Sequence, residues 1–305
     1  MRPRPSPDPM PPNPKPTPEP SRARSYYELT KPGIAGFAMI NAGVAFLVGA
    51  GGQAALIPVL HTLLGTLLAT AGALALNQYQ ERDIDALMER TRDRPLPSGR
   101  LQPRDALLFG ILLVVGGTAH LASTVGMLPA ALTLGSALAY NFIYTPLKSR
   151  SYLATFAGAV PGAMPALIGW SAATGTLHPG AFALFGIAFL WQLPHVFALA
   201  WILREDYERA GFFLAPPTDA LGTALGRQMT GYSLALLAVS TVPTFLGITG
   251  SIYLVGAVLL GAALVGSSLR ASVDMSRSRV RTVFLWSLLY QPLLLGLLLF
   301  DLVRR

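Results

Sequence analysis

Nine apolar stretches, separated by short polar gaps, decide what this chain can fold into. They run roughly 34–51, 54–76, 106–123, 127–145, 152–173, 179–202, 229–247, 251–268 and 282–302. Each is close to the ~20 residues that a helix needs to cross a hydrocarbon core. Lipid offers no partners for backbone N–H and C=O groups, so a spanning segment must satisfy its own, as a helix does. The expected fold class is therefore all-α, a polytopic membrane bundle of about nine transmembrane helices. Composition points the same way, because a chain with 52% hydrophobic and only 12% charged residues is too apolar for an ordinary soluble domain. Cysteine is absent, which rules out disulfides, thiolate metal sites and cysteine nucleophiles.

The basic residues sort the helix ends onto two faces. Six Lys or Arg precede the first stretch, six lie between the second and third, and two between the fourth and fifth; three follow the sixth, four the eighth and two the ninth, while the four opposite gaps carry none. Arginines flanking apolar runs are topology signals, and with nine spans this alternation places the N-terminus in the cytoplasm. The net charge of +8 is explained in this way, so nucleic acid is not an expected partner. The first twenty residues hold ten prolines and almost no large apolar side chain, too little to offset the entropy of ordering. Residues 1–25 are expected to form a disordered, proline-rich cytoplasmic tail and 26–305 the transmembrane domain. No secretory signal is visible, and the run beginning near Ile34 should remain as an anchor.

Fourteen of the fifteen acidic residues share the basic face, leaving Asp301 near the other. Acids do little for topology, so they need another role. The densest group is Asn77-Gln-Tyr-Gln-Glu81-Arg-Asp83-Ile-Asp85, followed by Met88, Arg90, Thr91, Arg94-Pro-Leu-Pro97 and Arg100. If the second helix continues through it, Asn77, Glu81 and Asp85 stack on one helical face over about two turns. Such an oxygen strip suits Mg²⁺, which binds oxygen ligands and shares its shell with substrate phosphates. Arg82, Arg90, Arg92 and Arg94 add guanidinium donors for phosphate. Mixed charge in a cytoplasmic loop is more often a solvated surface. Here the strip follows directly on an apolar run, where acids facing lipid would cost about 2–3 kcal/mol each at depth. A wet, protein-lined cavity removes that cost.

A second cluster ends the sixth stretch: Trp191-Gln-Leu-Pro-His195, then Arg204-Glu-Asp206-Tyr207-Glu208. The charge alternation brings it to the same face, which predicts a second carboxylate arm at Asp206 facing the first. Between them fall Tyr140-Asn141, Tyr144, Lys148 and Arg150, cations that could hold a pyrophosphate, although each alone reads as a topology anchor. Asp83, six residues from Asn77, faces elsewhere and suits a salt bridge. His61, His120 and His178 fall toward the outer face. His195 follows Pro194, which disturbs the local helix ladder; a lone helical histidine is as readily structural as functional.

These residues resemble the intramembrane aromatic prenyltransferases of the UbiA superfamily and, within it, the protoheme IX farnesyltransferases or haem O synthases. The similarity covers nearly all the chain after the proline tail. Leu29-Thr-Lys31-Pro-Gly-Ile34 looks like the opening motif of that group, and Asn77 to Arg100 like its first acidic motif. Lys148 with Arg150, Pro165 to Trp170, and Trp191-Gln-Leu-Pro-His195 through Asp206-Tyr207 to Gly211 match in order. Ser149 and Ala154 stand where these enzymes often have Arg and Asn.

The resemblance implies transfer of farnesyl from farnesyl diphosphate to a vinyl group of haem B, with water added, giving haem O and pyrophosphate for haem-copper oxidase assembly. It also implies a bacterial inner-membrane location and membrane partners of the haem pathway. The implied catalytic and metal-holding residues are Asn77, Glu81, Asp85 and Asp206, with Mg²⁺ as cofactor. Arg90, Arg94, Lys148 and Arg150 would bind the diphosphate, and His195 and Tyr144 would lie on the acceptor side. A quinone precursor or chlorophyll-like acceptor is the enzymatic alternative. A transporter is the alternative from another class, and it would carry ionisable groups near the bilayer midplane; the helix centres here have almost none.

Overall fold

The computed structural model describes residues 21–215 and 221–304. The proline-rich segment 1–20 lies outside them, but Arg22–Leu29, whose start falls within the expected tail, is a helix, α1. The other helices are α2 (Pro32–Gly49), α3 (Leu56–Asp85), α4 (Pro103–Thr124), α5 (Met127–Leu147), α6 (Ala154–Thr174), α7 (Pro179–Ile202), α8 (Arg204–Arg209), α9 (Thr223–Phe245), α10 (Ser251–Val273) and α11 (Arg277–Val303). Among the described residues no strand occurs. Eight of the long helices are apolar enough to cross a bilayer; α9, the ninth, is as long but more polar, with Arg227 and Gln228 in its first two turns. The chain is an integral membrane protein. The short gaps after α2 and α4 are turns at Gly51 and Gly126, both at positive φ.

Two departures from the apolar pattern matter for function. α3 does not stop with its apolar run near 76 but continues nine residues to Asp85, so the acidic strip is helical. Within α5, Ala139–Tyr144 is a π-helical turn, a widened turn that is rare and tends to occur at functional sites.

Small residues let the helices approach closely, as expected where lipid provides no hydrophobic drive for helix association. On α3 and α4 the pairs Gly65/Gly117 and Gly72/Gly110 face each other. A Cβ on Gly117 would lie 2.6 Å from the Ala69 nitrogen and 2.7 Å from the Gly65 oxygen, and one on Gly72 would lie 2.6 Å from the Gly110 oxygen. Both contacts are with backbone, which cannot step aside. Prolines within α6 and α7 free carbonyls instead. The carbonyl of Pro161, four residues before Pro165, accepts a hydrogen bond from Ser136 of α5 at 3.2 Å.

Helices α2, α3, α5, α6, α7 and α11 surround a cavity of about 590 Å³; α4, α9 and α10 contribute nothing to its wall. At the far end, Asp301 accepts a hydrogen bond from the Gly250 N–H in the α9–α10 turn, giving the lone outer carboxylate a structural role. Gly117→Leu should force α3 and α4 apart and destabilise the protein by at least about 1–3 kcal/mol. Thermal unfolding in detergent would show a clear fall, with Gly116→Leu, on an open face, as the control.

Candidate active site

The strip on α3 is buried: Asn77, Glu81 and Asp85 expose 0%, 5% and 1% of their surface. Buried charge must be paired, and each of the three oxygens-bearing groups has drawn in a cation from a different segment. Lys31, between α1 and α2, donates from Nζ to Asn77 Oδ1 at 3.0 Å. Lys148, just past α5, places Nζ 2.6 Å from Glu81 Oε1. Arg94 donates from Nη1 to both oxygens of Asp85, at 2.8 and 2.7 Å. The amide of Asn77 also donates to Thr145 Oγ1 at 3.1 Å. That hydroxyl in turn donates to the Tyr140 carbonyl at 2.9 Å, a contact across the π-helical turn.

Local sequence explains each placement. Lys31 adopts φ 44°, the single positive value outside glycine among the described residues, and the turn it makes into Pro32 aims its side chain at α3. The segment after α3 folds back because the Thr91 hydroxyl donates to the Asp85 carbonyl at 2.7 Å, with Met88 and Thr91 buried. Arg94 is thereby returned to the strip. Behind it, Arg100 donates to Glu28 at 2.7 Å, and this contact lowers the Glu28 carboxyl below its usual range. Gln78 donates to the Leu29 carbonyl at 2.8 Å. Helix α1 is thus pinned over the strip rather than continuing the tail.

The cluster is electrostatically unbalanced toward cation. Burial, with Arg94 and Lys148 close by, pushes the Lys31 ammonium down to about 7. For Lys148, burial alone would lower the value, but Tyr144 and Glu81 outweigh it and raise the ammonium above its usual range. Glu81 Oε1 is buried with the Lys148 ammonium 2.6 Å away as its ion-pair partner, so an incoming cation would displace that ammonium to reach it.

The second cluster closes over Lys148. Its ammonium sits 4.6 Å from the Tyr144 ring centre and 5.4 Å from that of Phe212, and its carbonyl accepts from the Phe213 N–H at 2.7 Å. Tyr207 packs here with Phe212 and Leu214, and burial raises its phenol. Asp206, the expected facing arm, lies on α8. It is ion-paired with Arg209 on its own helix, and among the described residues no three His, Cys, Asp or Glu side chains converge as a metal set. Arg90 and Arg150 are exposed. Asp83 is exposed too and pairs with Arg82 at 3.5 Å.

The cavity borders this cluster through Tyr144, whose ring lies against Lys148, and it is lined also by Ile34, Tyr140, Trp191, Gln192, His195, Asn41 and Gln291. His195 is stacked between Trp191 and Phe284, ring centres 5.3 and 4.8 Å away, and its Nδ1 lies 2.9 Å from Ser287 Oγ. Lys31, Thr145 and Ser287 were not singled out by sequence reasoning. Only Lys31 left a signal there, as a cation ahead of Pro-Gly.

Known proteins share this architecture. The model of the UbiA prenyltransferase family matches residues 38–289. The chain is 42% identical over 288 residues to a protoheme IX farnesyltransferase of Solibacter usitatus, covering 91% of this chain and 98% of that one. It is 39% identical over 284 residues to a protein of the same name from Myxococcus xanthus, covering 93% and 96%. Among solved structures, a digeranylgeranylglyceryl phosphate synthase superposes with a TM-score of 0.79 at 16% identity, over 93% of this chain and 99% of the other. A UbiA homologue from Archaeoglobus fulgidus bound to GPP and Mg²⁺ superposes with a TM-score of 0.60 at 16% identity, over 90% and 99%.

Lys148→Met would strand Glu81 as an uncompensated buried charge and should cost on the order of 3 kcal/mol. Adding Glu81→Gln should restore much of the loss. Unfolding of the two variants in detergent would measure the difference.

Proposed function

The chain belongs to the UbiA prenyltransferase family, and from that premise we propose that it transfers farnesyl from farnesyl diphosphate to a vinyl group of haem B, yielding haem O and diphosphate. The acceptor and the prenyl donor are taken from the relatives named protoheme IX farnesyltransferase, which align with nearly the whole chain. The observation in the fold that carries the reading is that Tyr140 and Tyr144, which line a largely apolar cavity of about 590 Å³, also touch the buried carboxylate–cation cluster, through Thr145 and Lys148. That volume is typical of small-molecule sites. One end suits a charged leaving group and the other a hydrocarbon.

Mg²⁺ fits the strip, because Asn77, Glu81 and Asp85 bring carboxylate and amide oxygens together on one buried helical face, and such oxygens are its preferred ligands. Asn77, Glu81 and Asp85 would hold the ion, with Asp206, now paired with Arg209, as the fourth candidate on the second arm. Bound there, it would neutralise the diphosphate and ease departure from the allylic carbon. Lys31, Lys148 and Arg94 already lie against the strip; released from the carboxylates, they would bind phosphate oxygens and stabilise charge as it develops. Arg90 and Arg150 extend the same set at the surface.

The allylic cation is short-lived unless bulk water is kept away, and the apolar part of the cavity wall supplies that exclusion with Phe37, Ala73, Leu74, Ala137 and Trp191. Tyr144 stands at the boundary between the charged and apolar ends, and His195 lies deeper, on the acceptor side. We place the protein in the bacterial inner membrane with its N-terminus and the cluster toward the cytoplasm, among membrane partners of the haem pathway.

Membranes containing the protein, incubated with haem B, farnesyl diphosphate and Mg²⁺, should yield farnesylated porphyrin detectable by mass spectrometry. Glu81→Gln and Asp85→Asn should each lower the rate by about 100-fold or more. Full activity in both variants would remove the strip from the chemistry, and absence of any farnesylated haem from the unaltered protein would remove haem as the acceptor.

A further inference from the structure

We propose that Gln192 and His195 hold the water molecule that supplies the product's hydroxyl oxygen, and that His195 takes its proton. The inference rests on the haem-farnesylating reading above, in which one water must be added after the new carbon–carbon bond forms.

Both side chains line the cavity, and three residues apart on α7 they share one helical face. Each is fixed so that a hydrogen-bond acceptor is left over. Gln192 donates from Nε2 to the carbonyls of Ala188 at 2.9 Å and Ala159 at 3.3 Å. Both amide hydrogens are spent on those bonds, leaving Oε1 to accept. The Gln192 oxygen lies against α6 at Gly162, where a Cβ would overlap it, so the glycine makes room for the amide. On His195 the tautomer follows from Ser287. That hydroxyl also lies 2.6 Å from the Phe284 carbonyl; with its one hydrogen donated there, the 2.9 Å contact with His195 is a hydrogen bond from Nδ1–H to Ser287 Oγ, and this is the tautomer the proposal uses. His195 Nε2 therefore carries the lone pair. Stacking between Trp191 and Phe284 holds the ring in place.

A water facing two acceptors gives a hydrogen to each and turns its own lone pairs away from them. It is then oriented as a nucleophile in a wall that is otherwise largely apolar. The step balances without any further reagent. The C1–O bond of farnesyl diphosphate breaks and its electron pair leaves with diphosphate. The vinyl π pair forms the new C–C bond at the terminal carbon, leaving the cation on the carbon attached to the porphyrin. The water oxygen bonds to that carbon, and its proton passes to His195 Nε2. Without water in place, the same cation loses a proton from the adjacent methylene and gives an alkene, lighter than haem O by one water.

The test reads product identity in the membrane assay, run in ¹⁸O-labelled water. The unaltered protein should make haem O carrying the label. Gln192→Leu removes the acceptor oxygen, and Gly162→Ala displaces it; either should raise the alkene-to-haem O ratio by about tenfold or more in whatever turnover remains. A general packing defect would lower both products together and leave that ratio unmoved. If both variants yield haem O at the original ratio, the assignment is wrong. If both bind farnesyl diphosphate but form no farnesylated product of any kind, it is also wrong, because carbon–carbon bond formation precedes water attack. Failure of the unaltered protein to farnesylate haem would instead count against the acceptor.

Discussion

A strip of buried oxygens at the end of one helix needs positive charge, and much of the site is arranged to deliver it. Glu81 and Asp85 lie almost fully inside the protein, where an unpaired carboxylate would be costly. Lys31, Lys148 and Arg94 arrive from three different connections, and each arrival shapes a length of chain. The unusual backbone of Lys31, the fold-back after Asp85 and the docking of residues 207–214 over Lys148 all serve this neutralisation. The cations that pair with the strip are the ones proposed above to bind a diphosphate, and such binding would exchange one set of anions for another.

Much of the architecture was legible in the sequence because the bilayer leaves few alternatives. The nine apolar runs correspond to nine long helices among the described residues, and the i, i+4 spacing of Asn77, Glu81 and Asp85 places them on one buried face. Family membership could likewise be read from several motifs in order. What periodicity could not give was the identity of partners. Arg94 reaches Asp85 only because a loop of nine residues folds back, and loops carry no period. Lys31 needed knowledge of its φ. Asp206, like Asp85, has drawn in an arginine, here one three residues on in its own short helix. The orientation of His195 depends on Ser287, more than ninety residues later.

The bundle divides its work between close and open packing. Where α3 and α4 meet through facing glycines, the backbones touch. Where α6 borders the cavity, Pro165 frees the Pro161 carbonyl for the Ser136 hydroxyl. The closely packed pair carries the acidic strip, and the proline-interrupted helices α6 and α7 carry polar groups of the cavity wall, Gln192 and His195 among them.

The π-helical turn at Ala139–Tyr144 has a further meaning as a phase shift. One residue of an α-helix advances the side chains by about 100°, so the extra residue in a widened turn rotates everything beyond it relative to the helix before. The outer part of α5, with Thr133, Ser136 and Ala137 on the cavity, and its inner end, with Thr145 on Asn77, obey two different helical wheels. Loss of a single residue from that turn would leave every side chain present and the helix unbroken, yet swing Thr145 and Lys148 about a quarter of a circle off the strip. The site is therefore encoded partly in the number of residues in one turn, information that no list of its side chains contains.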